Sequence, residues 1–156
     1  MRSMMESGIQ ITQDSKHAFE EIWKKRTHRY AVFAVQENRE IIVDVLGKRD
    51  ASYDEFLADL QGEQDEDGAC QCRFGIYDFE YEHYFKPMDS STTKLKLILV
   101  LWCPEQARIR DKMIYSSSMS SIIQTFIGVQ KYIQANNLDD ISREAVEMKL
   151  RAMDRD

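Results

Sequence analysis

Three carboxylates alternate along one short stretch of the chain, at Asp78, Glu80 and Glu82. In an extended strand, every second side chain points to the same face, so all three would project to one side. Two neighbouring carboxylates can serve as general acid and general base in catalysis. The surrounding sequence supplies no nucleophile and no residue for a second catalytic role. We therefore expect no catalytic residue in this stretch.

Residues that commonly bind metals are scattered through the sequence. His17, His28 and His83 lack the spacing of a ligand pair, and Cys70-x-Cys72 has no second cysteine pair to complete a zinc site. Glycine-rich phosphate loops, the paired-histidine helix motif and the nucleophile elbow do not occur. We expect no metal and no cofactor, and we interpret the histidines and thiols as surface or partly packed side chains.

The composition predicts one globular domain. The chain has 156 residues, of which 43% are hydrophobic and 31% are charged, a balance typical of folded proteins. The net charge of −6 argues against a nucleic-acid partner. The apolar run Leu97–Trp102 is too short to span a bilayer, and residues 1–8 lack the apolar stretch of a secretory signal. The 3 cysteines have no framework spacing, which favours a reducing, cytoplasmic location.

The hydrophobic pattern predicts helices packed against a sheet. After the N-cap Thr12, Phe19 and Ile22 recur at helical spacing, whereas Tyr30–Val35 and Ile41–Leu46 flank a polar turn and indicate a hairpin. Further strands are predicted at 74–79, 94–102 and 129–135, and further helices after Ser52, over 105–127 and after Ser142, with an acidic surface loop at 62–68. The result is an α/β (α+β) domain with about five strands.

Four parts of the sequence resemble the ADF/cofilin family. Each motif alone is a weak signal, but their order and spacing extend over nearly the whole chain. The matching segments are Met5–Ile9, Gly75–Tyr81, Trp102–Pro104 followed by Arg110–Ser118, and Gly128–Ala135 leading into Ser142–Val146.

The resemblance implies a fold and an activity. The fold is the actin-depolymerising factor homology domain, a mixed five-stranded sheet sandwiched by helices, here over residues 5–153 with an extension at 1–4. The activity is non-enzymatic, because family members bind actin monomers and filaments, favour ADP-bound subunits, and promote severing and depolymerisation. Binding that favours one filament geometry shifts the population toward it. The resemblance also implies a monomer that acts on the cytoplasmic actin cytoskeleton.

Two actin-binding surfaces follow when the resemblance is carried over onto this chain. Cations would steer association with acidic actin, and Met113 would supply adaptable packing. Lys94 and Lys96 are two residues apart and would project from one side of a strand. The residues implied for the monomer are Ser7, Gly8, Arg110, Lys112, Met113, Ser118, Ser121 and Ile122. Those implied for the filament are Lys94, Lys96, Lys149 and Arg151.

Simpler interpretations of the same cations remain open. Arg110 and Lys112 could be a solvated helix face, and strand-edge lysines such as Lys94 can protect a sheet against aggregation. The run Lys24–Arg26 resembles a fragment of the basic segment that directs some relatives to the nucleus, or it is a charge cluster that complements a helix C-terminus.

Ser7 is implied as a regulatory phosphorylation site. A phosphate adds about −1.5 to −2 charge at neutral pH, and beside a surface that meets acidic actin it would repel the partner. Glu6 precedes this serine, and residues 1–4 lengthen the N-terminal arm that carries it. The alternative is a serine without a regulatory role in a disordered tail.

The long helix departs from the pattern of many relatives, which carry cations where this chain has apolar and neutral residues. The change predicts either a more hydrophobic contact with actin or a weaker affinity for filaments, and weak binding to phosphoinositide membranes. It also supports an alternative function, a sister domain with weak actin activity such as a debranching factor that acts on the branched-filament nucleator. The substituted positions are Met119, Ile123, Gln124 and Thr125.

Overall fold

A mixed sheet of six strands forms the centre of the fold over the residues that the computed structural model describes, which are 8–85, 88 and 90–154. The strands are β1 (Gln10–Ile11), β2 (His28–Gln36), β3 (Glu40–Lys48), β4 (Arg73–Phe85), β5 (Ser90–Trp102) and β6 (Lys131–Ala135). Their order across the sheet is β1-β3-β2-β4-β5-β6. The β1–β3 and β5–β6 pairs are parallel and the others antiparallel.

Three helices begin at the caps that the sequence predicts. The Thr12 hydroxyl accepts a hydrogen bond from the Ser15 amide, which satisfies one backbone donor of the first turn. Ser52 and Glu55 form a reciprocal capping box. Ser142 accepts from the Ala145 amide. The helices are α1 (Gln13–Trp23), α2 (Tyr53–Gln61), α3 (Ile109–Thr125) and α4 (Arg143–Arg151), with a short 3-10 turn at Leu138–Ile141.

Two hydrophobic clusters cover the two faces of the sheet. Leu97, Leu99 and Leu101 of β5 pack with α1 and α3, while Ile98 and Val100 pack with α2 and α4. This division follows from the alternation of side chains along a strand. The helix-covered sheet and the α/β class are confirmed, and the apolar run of β5 is covered on both faces as predicted.

The structure corrects the boundaries of several elements. The sheet has a sixth strand over the described residues, because Gln10 and Ile11 pair in parallel with the start of β3. The long helix begins at Ile109 and not at residue 105, since Arg108 is its N-cap with extended backbone dihedrals. It ends at Thr125. Helix α1 ends at Trp23, so Arg26 of the basic run lies beyond the helix, with a φ of 55°.

Candidate functional site

The first turn of α3 presents an apolar and basic surface. Ile109 is 75% exposed and Met113 is 67% exposed, although both are large hydrophobic residues. Arg110 is exposed between them and forms no ion pair with the described residues. An exposed cation flanked by apolar side chains suits a protein partner, because the charge steers encounter and the apolar groups lose water on contact. We call Ile109, Arg110 and Met113 the α3 surface.

The side chain of Lys112 is held beside this surface. Its ammonium group donates a hydrogen bond of 2.8 Å to the backbone carbonyl of Glu105. Lys112 is half-buried, whereas Arg110 is exposed. The structure therefore brings together three of the residues predicted for the monomer, Arg110, Lys112 and Met113, within one turn of helix.

The acidic loop 62–68 packs against the start of the same helix. The Arg108 guanidinium donates to the carboxylates of Asp65 at 3.0 Å and Asp67 at 3.1 Å. Hydrogen bonds from the Ala69 amide and from Arg108 lower the pKa of Asp65, so its carboxylate stays charged. Because Arg108 is neutralised by the loop, the cationic character of this region comes from Arg110 and Lys112.

Two of the residues predicted for the monomer surface are buried. Ser118 and Ile122 have no exposed area and face the core side of α3, where the Ser118 hydroxyl donates to the Ile114 carbonyl at 2.6 Å. Their inclusion in a binding surface is therefore corrected, because a partner cannot reach them on the folded domain. Ser121 is half-buried. Gly8 is exposed with a φ of 85°, and Ser7 lies outside the described residues.

A second cationic surface lies on the other side of the sheet. Lys94 and Lys96 of β5 project from one face of the strand, as predicted, and both donate to Asp154 Oδ1, at 2.9 and 2.8 Å. The Tyr81 hydroxyl donates to Asp154 Oδ2 at 2.6 Å, and the Arg151 guanidinium lies over the Tyr81 ring. The structure thus gathers three residues predicted for the filament around Tyr81 and Asp154, and Lys149 is exposed on α4 nearby.

The alternating carboxylates of β4 form no catalytic pair. Asp78 is buried and accepts hydrogen bonds from Arg26 at 2.9 Å and Arg49 at 2.8 Å. Glu80 and Glu82 are exposed. Asp78 therefore binds two arginines and has a structural role. The described residues contain no group of three or more His, Cys, Asp or Glu placed to bind a metal ion. Every helix in the described ranges is too short or too polar to span a bilayer.

The sequence of residues 8–151 matches the family described as cofilin/tropomyosin-type actin-binding protein. The chain belongs to the ADF/cofilin family. It is 34% identical to actin-depolymerizing factor 4 of Oryza sativa subsp. japonica, over 93% of this chain and 96% of that protein. It is 33% identical to actophorin of Acanthamoeba castellanii, over 90% of this chain and 93% of that protein. It also resembles the crystal structure of Streptomyces griseoflavus cofilin, with a TM-score of 0.76, 27% identity and coverage of 91% and 96%.

Family membership assigns a non-enzymatic role. ADF/cofilin proteins bind actin and catalyse no reaction of their own, so the activity of such a protein depends on which surfaces it presents. Among the described residues of this ADF/cofilin chain, the candidate surfaces are the α3 surface and the cationic cluster around Asp154.

Four contributors to these surfaces were not predicted from the sequence. Ile109 directly precedes Arg110, and its exposure depends on its place as the first residue of α3. Tyr81 and His83 alternate along β4 and so share a face, which was a usable signal. Their position beside the lysines depends on the β4–β5 register, in which Tyr81 pairs with Lys94 and His83 with Thr92. Asp154 follows α4 and carries no sequence pattern that links it to β5.

The carboxyl group of Asp154 should make stability depend on acid pH. Burial opposes its ionisation, but hydrogen bonds from Lys96, Tyr81 and Lys94 outweigh burial and hold the pKa of Asp154 well below its usual range. An unfolded Asp has a pKa of about 4. The cluster therefore stabilises the fold at pH values above about 4, and this contribution is lost as the pH falls toward the lower folded-state pKa.

We expect Asp154→Asn to lower the free energy of unfolding by roughly 1 to 3 kcal/mol at pH 7, the usual range for hydrogen bonds to charged groups. Urea unfolding of both proteins at pH 7, 5 and 3 measures this difference. The difference should shrink at pH 3, because the unfolded chain then binds a proton at Asp154 that folding must release, while the folded carboxylate stays ionised. A difference that stays constant over this range contradicts the assignment.

Proposed function

We propose that the protein binds actin monomers and the sides of actin filaments, prefers ADP-bound subunits, and promotes severing and depolymerisation. The observation that carries the proposal is the presence of two surfaces that contain cations, one exposed and one partly exposed, on opposite sides of one sheet. Helix α3, which carries the α3 surface, packs on the same side of the sheet as α1, and the Lys94–Lys96 cluster lies on the α4 side. A monomer needs only one of these surfaces, whereas the side of a filament offers two neighbouring subunits that could each contact one.

The same arrangement explains how binding would break a filament. A domain held by two subunits binds best when their relative orientation suits both of its surfaces. Filament geometries that fit are then populated at the expense of those that do not. A preference for the ADP state follows if that state adopts the fitting geometry more readily. The strained boundary between decorated and bare segments is where we expect severing.

Phosphorylation of Ser7 is proposed to inhibit this activity. The adjacent Gly8 is exposed and adopts a φ of 85°, a conformation that side chains rarely adopt. A phosphate on Ser7 would add about −1.5 to −2 charge to an arm that contacts an acidic partner. We further propose a single domain that acts as a monomer in the cytoplasm, with weak affinity for phosphoinositide surfaces because α3 carries few exposed cations.

Co-sedimentation with filamentous actin, together with fluorescence microscopy of filament length, tests the proposal. The unmodified protein should pellet with filaments and shorten them. Ser7→Glu should weaken binding by about tenfold, equivalent to roughly 1.4 kcal/mol. Ser3→Glu is the matched control, because it adds the same charge to the arm four residues earlier and should change binding little.

Failure of the unmodified protein to bind either filaments or ADP-actin monomers would overturn this function. The alternative, a sister domain that acts on the branched-filament nucleator, would then be preferred. The feature that supports this alternative is the far part of α3, where Gln124 and Thr125 are neutral at positions at which many relatives carry cations.

A further inference from the structure

In the cationic cluster around Asp154, the carboxylate of this residue accepts hydrogen bonds from both lysines. Lys94 and Lys96 both donate to the same oxygen, Oδ1, at 2.9 and 2.8 Å. The Asp154 side chain is only 3% exposed, while those of Lys94 and Lys96 are 29% and 13% exposed. The ammonium groups that would meet a partner are therefore already bound to an internal anion.

We propose that Asp154 is an internal competitor that lowers the affinity of this surface for the actin filament. The inference rests on the proposed function, and it identifies the group on the partner as a carboxylate. An acidic side chain of a filament subunit would take the place that Asp154 Oδ1 holds in the unbound protein. Each lysine must then exchange one carboxylate for another or share its hydrogen bonds between two.

Asp154 is fixed in this position independently of the lysines. Its amide donates to the Arg151 carbonyl at 3.0 Å, which continues the turn at the end of α4. Its second oxygen, Oδ2, accepts from the Tyr81 hydroxyl at 2.6 Å and lies 3.3 Å from His83 Nδ1. Lysine side chains are long and flexible, so they can turn toward a partner while Asp154 remains held by β4.

The charge of the cluster gives the direction of the effect. Two lysine cations would attract an acidic partner more strongly than two cations that share one carboxylate. Without the Asp154 carboxylate, the two lysines lose the anion that binds them in the free protein. A carboxylate of the filament can then pair with the lysines without this competition. The gain depends on salt, because partly exposed charges are screened by ions.

The test compares filament affinity in Asp154→Asn with that of the unmodified protein by co-sedimentation at 50 and 150 mM salt. We expect binding to be about three- to tenfold tighter in the variant, with a steeper fall as salt rises. Asp50→Asn is the matched control, because Asp50 is exposed near the end of β3 and its replacement changes net charge equally. That control should leave affinity unchanged.

A double-mutant cycle assigns the effect to the lysines. In a Lys94→Ala, Lys96→Ala background, Asp154→Asn should no longer tighten binding. An increase that persists in this background would overturn the proposal, because it would show a general charge effect. Should Asp154→Asn fail to fold, Tyr81→Phe carries the test, since it removes a hydrogen bond that holds Asp154 and should tighten binding about twofold.

The outcomes separate the inference from the proposed function. Unmodified protein that does not bind filaments overturns both the proposed function and the inference that rests on it. Unmodified protein that binds filaments with the same affinity as Asp154→Asn and Tyr81→Phe overturns the inference alone. Tighter binding that requires Lys94 and Lys96 supports both.

Discussion

Replacement of Arg110 and Met113 by alanine in one variant is expected to weaken binding to actin monomers by roughly a hundredfold. Central Arg and large apolar side chains in an interface commonly contribute 2 kcal/mol or more on truncation. Both side chains are exposed and Arg110 forms no ion pair among the described residues, so the folded domain should lose little stability. Fluorescence titration of labelled ADP-actin measures the affinity, and thermal unfolding checks the fold.

Lys48→Ala is the matched control for this variant. Lys48 is exposed at the end of β3, away from α3, and its loss changes the net charge by the same amount. The α3 surface would be rejected as the monomer site if the control and the double variant weakened binding equally. Lys112→Ala is expected to have an intermediate effect, because the Lys112 ammonium already donates to the Glu105 carbonyl.

The helix starts and the sheet core could be predicted because their signals are local. Thr12, Ser52 and Ser142 each cap the first turn of a helix through a bond to a residue three positions later. The run Leu97–Trp102 is apolar at every position because both faces of β5 are covered. The strand β1 was missed because two residues, Gln10 and Ile11, are too few to show any period.

The α3 surface was predicted only in part, although its sequence held enough information. Tyr115, Ser118, Met119, Ile122 and Phe126 follow the spacing of one helical face, and all are buried. Ser118 and Ile122 share this spacing with the apolar residues, so their place on the core-facing side of α3 could have been predicted from the sequence. The apolar residues at the substituted positions follow the same pattern, since Met119 is buried and Ile123 packs against the core.

The surface around Asp154 depends on long-range contacts that a sequence does not encode simply. Asp154 is 58 residues from Lys96 and 73 from Tyr81. Its place is set by how α4 packs on the sheet and by the register of β4 against β5. The resemblance to the family identified the lysines, but the anion that holds them required the three-dimensional arrangement.

Gly75→Ala is expected to lower the free energy of unfolding by about 3 kcal/mol. A Cβ at this position would lie 2.7 Å from two ring atoms of Phe56 and 2.8 Å from Leu60 Cδ1. Phe56 and Leu60 are fully buried, and the Phe56 ring also packs against Tyr77, so they have little room to move. Overpacking of this kind commonly costs 1–3 kcal/mol and sometimes more. Urea unfolding followed by circular dichroism measures the loss.

The sign of this prediction depends on two opposing effects. Alanine restricts the unfolded chain more than glycine does, which on its own stabilises a protein by about 0.4 to 1 kcal/mol. The clash with α2 must exceed that gain, and a stability equal to or above that of the unmodified protein would show that the helix shifts away at little cost. Phe56→Leu provides the control, because it removes the ring atoms nearest to the new methyl group. In combination with Gly75→Ala, it should cost less than the sum of the two single changes, since neighbouring substitutions that share space are not additive.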